Sequence, residues 1–148
     1  MFVSVTRLRL RSFRFLPGFF RHAGASTRQL RDSPGFEGGY LARQGFLTFW
    51  TITMWADADA MRRYRAEAAH LAAMPKLLHW CDEASIAHWN QESTRLLPPE
   101  EARSRLTREG RLSKVLHPSA AHAAGEVQPS PAPLKLGLHV PAVSPRAA

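Results

Sequence analysis

The sequence predicts an α+β domain, an antiparallel sheet with helices on one face in the ferredoxin-like order βαββαβ. Three observations predict it. Segments 2–10, 46–55 and 83–89 are β-branched and aromatic, with a period-two split into faces. Segments 13–32 and 57–74 switch to a period of three and four. Ser33-Pro34-Gly35, Gly45 and Pro75 punctuate the chain between these segments.

The first strand, FVSVTRLRL, places Phe2, Ser4, Thr6, Leu8 and Leu10 on one face and Val3, Val5, Arg7 and Arg9 on the other. In 13–32 a stripe of Leu16, Phe19, Phe20, Ala23, Thr27 and Leu30 predicts an amphipathic helix. Pro17 suits its first turn, and Ser33-Pro34-Gly35 ends it. GFEGGYLARQ (35–44) is a weaker strand, where Gly38 and Gly39 predict a bulge or a close backbone approach. Gly45 links it to FLTFWTITMW (46–55).

Both faces of 46–55 are partly apolar, with Phe46, Thr48, Trp50, Ile52 and Met54 on one and Leu47, Phe49, Thr51, Thr53 and Trp55 on the other. Such a strand is covered on both sides. Helices cover one side; a second copy of the sheet is the simplest cover for the other, predicting a homodimer.

Asp57 or Asp59 caps the next helix, whose stripe is Met61, Tyr64, Ala68 and Leu71. That helix is expected to end or kink before Pro75, with a short helix KLLHWCD after it. EASIAHW returns to strand with Ala84, Ile86 and His88 on one face, and Pro98-Pro99-Glu100-Glu101 opens a last helix running to Glu109.

The chain of 148 residues suits one domain. Residues 1–111 are predicted to form it. Residues 112–148 hold six of the eleven prolines and only four charged groups, and are predicted to be a disordered or loosely draped tail. The net charge is +8, and seven arginines precede the first acid, Asp32. No nucleic-acid motif accompanies this charge, so no nucleic-acid partner is predicted. No apolar stretch is long enough to span a membrane. The arginine-rich, acid-poor start has the composition of a transit peptide, but residues 2–10 read better as a core strand. Cys81, the single cysteine, fits a reducing compartment, the cytoplasm, and reads as a buried packing group.

T-R-L-x-L-R near the start, S-P-G-F before a strand, and a strand ending in T-x-W followed by an acidic turn and a helix reaching A-H resemble the antibiotic-biosynthesis-monooxygenase superfamily. The resemblance covers about residues 1–92 and implies a dimeric α+β barrel. It also implies two chemistries, cofactor-independent quinone-forming oxygenation and haem degradation. The haem-degrading members carry an asparagine on the first strand, a tryptophan in the second helix and a histidine that binds iron. By that resemblance Thr6 stands at the asparagine position, Tyr64 at the tryptophan position, and His70, about one helical turn early, is the candidate iron ligand. A threonine hydroxyl reaches less far than an asparagine amide.

His70 is the leading catalytic candidate, because histidine exchanges a proton near neutral pH. Glu67, three residues before it, is placed to hold its ring; the bland alternative is a helix-terminal histidine stabilised by the dipole. Thr6, Trp50, Tyr64, Met74 and His88 are the expected pocket walls between sheet and helices. His22 and His79 are expected to face solvent, and His117, His122 and His139 have no metal-site spacing, so no metal is predicted. The expectation is a small monooxygenase oxidising an apolar aromatic or polyene substrate without a cofactor. The alternatives are a non-catalytic ligand-binding or structural dimer, and a haem-binding or haem-degrading member.

Overall fold

A computed structural model of the chain describes residues 1–143. Its elements are β1 (Phe2–Leu10), a 3-10 turn (Phe13–Phe15), α1 (Leu16–Asp32), β2 (Phe36–Gln44), β3 (Thr48–Trp55), α2 (Ala58–Arg65), α3 (Ala68–Trp80), β4 (Cys81–Asn90), α4 (Pro99–Glu109), β5 (Arg111–Leu112), α5 (Ala120–Ala123) and β6 (Lys135–Val140). The order through β4 is βαββαβ with the second helix in two pieces. The strands form a six-stranded antiparallel sheet in the order β5-β4-β1-β3-β2-β6.

Period-two alternation decides the two faces. Helices α1–α3 cover the face of Ser4, Thr6, Leu8, Thr51, Thr53, Trp55 and Ile86. One apolar cluster there joins Leu10, Phe19 and Cys81, and another joins Phe2, Leu30, Phe36, Trp55 and Met61. Gly39 allows close packing of β2 on β3, since a Cβ there would lie 2.5 Å from the Ile52 carbonyl oxygen. Gly38 has φ +129, and the register shifts between Phe36 and Gly38, so the predicted bulge is present.

The opposite face is not bare. Val3, Val5, Trp50, Ile52, Met54 and Trp89 pack with Ala102 and Leu106 of α4 and with Leu96, Leu97 and Leu134. The chain itself therefore supplies the cover that suggested a second copy. Residues 119–134 of the expected loose tail are part of this cover, while Ser113, Lys114 and Val115 border the helix-side cavity. Five of the prolines and the turns between short elements carry the chain across the sheet, and β6 then pairs with β2 from Gly39↔Val140 to Arg43↔Lys135. Residues 144–148 of that tail lie outside the described residues.

Polar groups pin this cover. Arg7 is 1 % exposed and pairs with Glu83 at 2.7 Å. Its Nε donates to Gln44 Oε1 at 3.4 Å, an oxygen that also accepts from Trp50 Nε1 at 3.1 Å. Gln44 Nε2 then donates to the carbonyl oxygens of Ala132 and Ser130 at 2.8 and 3.3 Å. Arg103 of α4 donates to the same two carbonyls at 2.9 and 3.0 Å. Ser119 donates to Glu83 Oε1 at 3.0 Å, and Ser85 donates to the Val127 carbonyl at 2.7 Å. Burial raises the Glu83 carboxyl, but hydrogen bonding and charge from Arg7, with Ser119 and Arg9, outweigh it and hold Glu83 below the usual carboxylate range.

Removing one partner of a buried pair leaves an uncompensated charge, which costs about 3–5 kcal/mol. Glu83→Ala is expected to lower unfolding free energy by that amount in urea titration. Because the folded-state pKa of Glu83 is depressed, its contribution is complete above the unfolded value of 4.5 and is lost as pH falls through the folded value. Asp82, raised mainly by burial, works in the opposite sense. The stability gap between wild type and Glu83→Gln should therefore narrow as pH drops below 4.5; a constant gap would separate Glu83 from this ion pair.

Candidate functional site

Between the sheet and α1–α3 lies a cavity of about 240 Å³. Its floor follows from strand register. Thr53, Ser4 and His88 form one cross-strand row, and Thr51, Thr6 and Ile86 form the next. A third row, Phe49, Leu8 and Ala84, leads into the apolar cluster around Phe19. The floor is thus hydroxylated at one end and apolar at the other. Thr53 Oγ1 is held between the Trp55 indole N–H, which donates to it at 2.9 Å, and the Ser4 carbonyl, to which it donates at 3.5 Å.

The aromatic wall at the polar end is Trp55, Tyr64 and His70, with successive ring centroids 5.3 and 4.9 Å apart. Tyr64 donates its hydroxyl to the Ser26 carbonyl at 3.3 Å, and burial pushes its phenol up to about 12, so it stays protonated.

His70 owes its position to a break in the second helix. Helix α2 starts at an Asp57 cap, whose Oδ1 accepts from the Ala60 N–H at 2.8 Å, and it stops at Arg65. Ala68 then has φ +44 and α3 begins, running through Pro75 instead of ending before it. Nothing in RAEAAH favours a break locally. Gln29 of α1 makes it tenable: its Nε2 donates to the Tyr64 and Glu67 carbonyls at 3.0 Å each, and its Oε1 accepts from the His70 N–H at 3.0 Å. One amide therefore satisfies groups left over at the end of one helix and the start of the next.

His70 consequently sits in the first turn of α3, not at a helix C-terminus, so the dipole opposes imidazolium there rather than stabilising it. Glu67 is exposed, and among the described residues it forms no hydrogen bond or ion pair with the ring. Nδ1 of His70 is sealed from solvent and lacks a hydrogen-bond partner. Burial moves His70 below the ordinary imidazole value; the Arg65 backbone opposes that shift and the Arg65 guanidinium adds to it. His88 is lowered as well, by burial first and then by Arg111, Arg65 and Arg62.

The structure brings Thr6, Tyr64, His70, Met74 and His88 to this cavity, with Met74 at its mouth. It does not bring Trp50, which is 0 % exposed on the opposite face and bonded to Gln44. The parity of β3 already separates Trp50 from Thr51 and Thr53, and it puts Trp55 in the wall. His22, expected in solvent, is half-buried and lines the cavity; His79 is exposed. Burial raises the Cys81 thiol to about 12, leaving it a packing group. Gln29 and Arg65 were not legible as site residues, because both matter only through contacts across elements.

The sequence profile of antibiotic biosynthesis monooxygenases matches residues 2–76, which takes in β1 through most of α3. The chain belongs to the antibiotic biosynthesis monooxygenase family. No curated protein sequence matches it. Among solved structures it is similar to a Nitrosomonas europaea protein provisionally assigned to the same family, with TM-score 0.56 and 11 % identity over 63 % of this chain and 100 % of that one. It is similar to SnoaB, a cofactor-independent oxygenase from Streptomyces nogalater, with TM-score 0.53 and 19 % identity over 62 % of this chain and 93 % of that one. A Pseudomonas aeruginosa protein gives TM-score 0.53 and 14 % identity over 62 % and 94 %. These likenesses show the fold. The family domain is nearly complete in each neighbour, while more than a third of this chain has no counterpart in them.

A haem fits this antibiotic-biosynthesis-monooxygenase cavity poorly. Pockets for drug-sized ligands run to about 300–1,000 Å³, and a porphyrin needs more than the 240 Å³ here. Thr6 offers only a short hydroxyl, and the His70 ring is packed against Tyr64. Among the described residues no three His, Cys, Asp or Glu side chains cluster as metal ligands.

Gln29→Ala removes three hydrogen bonds at the break and is expected to cost about 1–3 kcal/mol, read by thermal or urea unfolding. The His70 imidazole resonances should shift in the same variant. Unchanged His70 resonances would mean that the break, and the ring, hold without Gln29.

Proposed function

We propose that this chain is a small monooxygenase-type enzyme that oxidises a flat, apolar, electron-rich substrate, aromatic or polyene, with molecular oxygen and no bound cofactor. The observation that supports it best is His70: a neutral imidazole, partly buried, with an unpartnered Nδ1, beside an otherwise largely apolar cavity. A proton acceptor in a dry pocket is what this chemistry requires of the protein. The cavity volume favours a substrate of one or two rings.

In this reading the His70 imidazole, which lines the cavity, takes a proton from an acidic position of the substrate. The resulting anion is electron-rich enough to reduce oxygen directly. Conversion of a CH₂ group to a carbonyl by O₂ releases one water, and the substrate supplies all four electrons. Trp55 and Tyr64 flank the oxygen-bearing edge of the substrate at the polar end, and the hydroxyl floor of Ser4, Thr6, Thr51 and Thr53 offers hydrogen bonds to its oxygens. Met74 borders the entrance, and His88 marks the polar end. SnoaB, described as a cofactor-independent oxygenase, is a precedent for the fold carrying such chemistry.

A homodimer is part of the proposal, by a route other than the closed sheet face. β6 is an edge strand, and Leu136 and Leu138 on it are 60 % and 43 % exposed. An apolar edge of this kind is a template for pairing with a second copy. The cytoplasm remains the proposed compartment, on the strength of a single free cysteine.

His70→Ala is expected to abolish oxygen uptake with one- and two-ring phenols and enols while leaving the fold intact by circular dichroism. The acid limb of the wild-type rate profile should lie below pH 6.5, because the base must be neutral and its pKa is lowered. Activity retained in His70→Ala, or an acid limb above 6.5, would remove His70 as the base. A wild type inert to all such compounds, with only its stability altered by the substitution, would identify a non-catalytic pocket.

A further inference from the structure

The charges around the cavity are of one sign. No Asp or Glu lines it, whereas Arg65 and Lys114 do. The two cations stand at opposite ends. Ser113, next to Lys114, donates its N–H to the Ala84 carbonyl at 2.9 Å, so Lys114 lies over the apolar end of the floor. Arg65 closes α2 near His70 and His88, over the polar end.

The polar end is reinforced from β5. Arg111 is paired in register with Ile86, a floor residue, so their side chains share the cavity face, next to His88 along the sheet. Neither Arg65 nor Arg111 has a carboxylate within salt-bridge distance among the described residues, although Arg62 in the same helical turn is paired with Asp59 at 2.8 Å. The helix dipole accounts for basic residues in the last turn of α2. It does not account for Arg111, which is on a strand, or for an acid-free lining. Arg65 on the cavity lining and Arg111 on the neighbouring edge strand thus leave two unneutralised guanidinium groups near His88, and arginine offers a compact oxyanion a matched pair of donors.

We propose that the cavity end bounded by Arg65, Arg111 and His88 is an anion subsite, and that the substrate class is a flat aromatic molecule carrying a carboxylate. The apolar ring system lies toward Leu8 and Phe19, and the carboxylate lies under the two arginines. This rests on the oxygenase reading for the identity of the cavity as a substrate site, yet it is tested by binding alone.

The experiment is calorimetric titration of the full chain with 2-naphthoate and with 2-naphthamide, which match in shape and differ in charge. The naphthoate is expected to bind at least about tenfold more tightly, and this preference should weaken as salt is raised. Arg65→Gln and Arg111→Gln, both at exposed positions, should each reduce naphthoate affinity and leave naphthamide affinity unchanged. Equal affinity for the two probes in the wild type overturns the subsite and leaves the oxygenase reading to stand on oxygen uptake. Equal loss for both probes in the arginine variants also overturns it, since that reports shape and not charge. Binding of neither probe overturns it as well.

Discussion

The buried ion pair between Arg7 and Glu83 is the constraint on which the rest of this structure depends. An arginine on a central strand, on the face opposite the helices, cannot be left against apolar packing without a counter-charge. Glu83 supplies the charge from the neighbouring strand, and Gln44 extends the network outward. Gln44 in turn needs acceptors for its amide hydrogens and finds them in the carbonyls of Ser130 and Ala132. A polar residue pattern on β1, β2 and β4 thus dictates where a proline-rich segment lies. With α4, that segment packs on the far face and leaves an open cleft beside Arg7, Gln44, Glu83 and Ser130, while the more enclosed cavity lies under α1–α3.

The second constraint is local and sits on the helix side. A continuous helix from Ala58 onward would satisfy every propensity in that stretch. The chain instead breaks at Ala66–Glu67, accepts a positive φ at Ala68, and relies on Gln29 to satisfy the exposed backbone groups. The return is geometric. His70 is placed in the first turn of a new helix, its ring tilted against Tyr64, in an environment where protonation is opposed by burial, by the Arg65 guanidinium and by the dipole, and favoured by the Arg65 backbone. The surrounding positive field has a complementary effect on a bound molecule, since what disfavours imidazolium favours a substrate anion.

Much of this was legible in the sequence where the signal is local. Period-two alternation placed Thr6 and His88 on the helix face of the sheet, and the helical stripe placed Tyr64 opposite them, whereas His70 lies off that stripe and stood out by its chemistry. The same alternation, applied strictly, excludes Trp50 and selects Trp55, because a one-residue difference on a strand is a change of face. What was not legible depends on partners distant in the chain. Gln29 looks like any polar residue on α1 until the break at Ala66 is known. Pro-rich residues 112–143 lack a period because their order comes from side chains on other strands and from the β2 edge, not from their own pattern. The expectation of a second copy over β3 came from a correct reading of two apolar faces, combined with overlooking α4 and this segment as their cover.

Membership of the antibiotic biosynthesis monooxygenase family accounts for the domain through α3, and the closing segment is what this chain adds to it. The central claim is that this segment is an integral layer, locked over the sheet by the Arg7–Glu83–Gln44 network. Hydrogen–deuterium exchange on the full chain tests it most directly. The amides of β6 that pair with β2 should be protected to a degree comparable with β2, and those of Ser130 and Ala132 should exchange more slowly than in a free peptide. Exchange of those amides at free-peptide rates, with β1 and β3 still protected, would contradict the account.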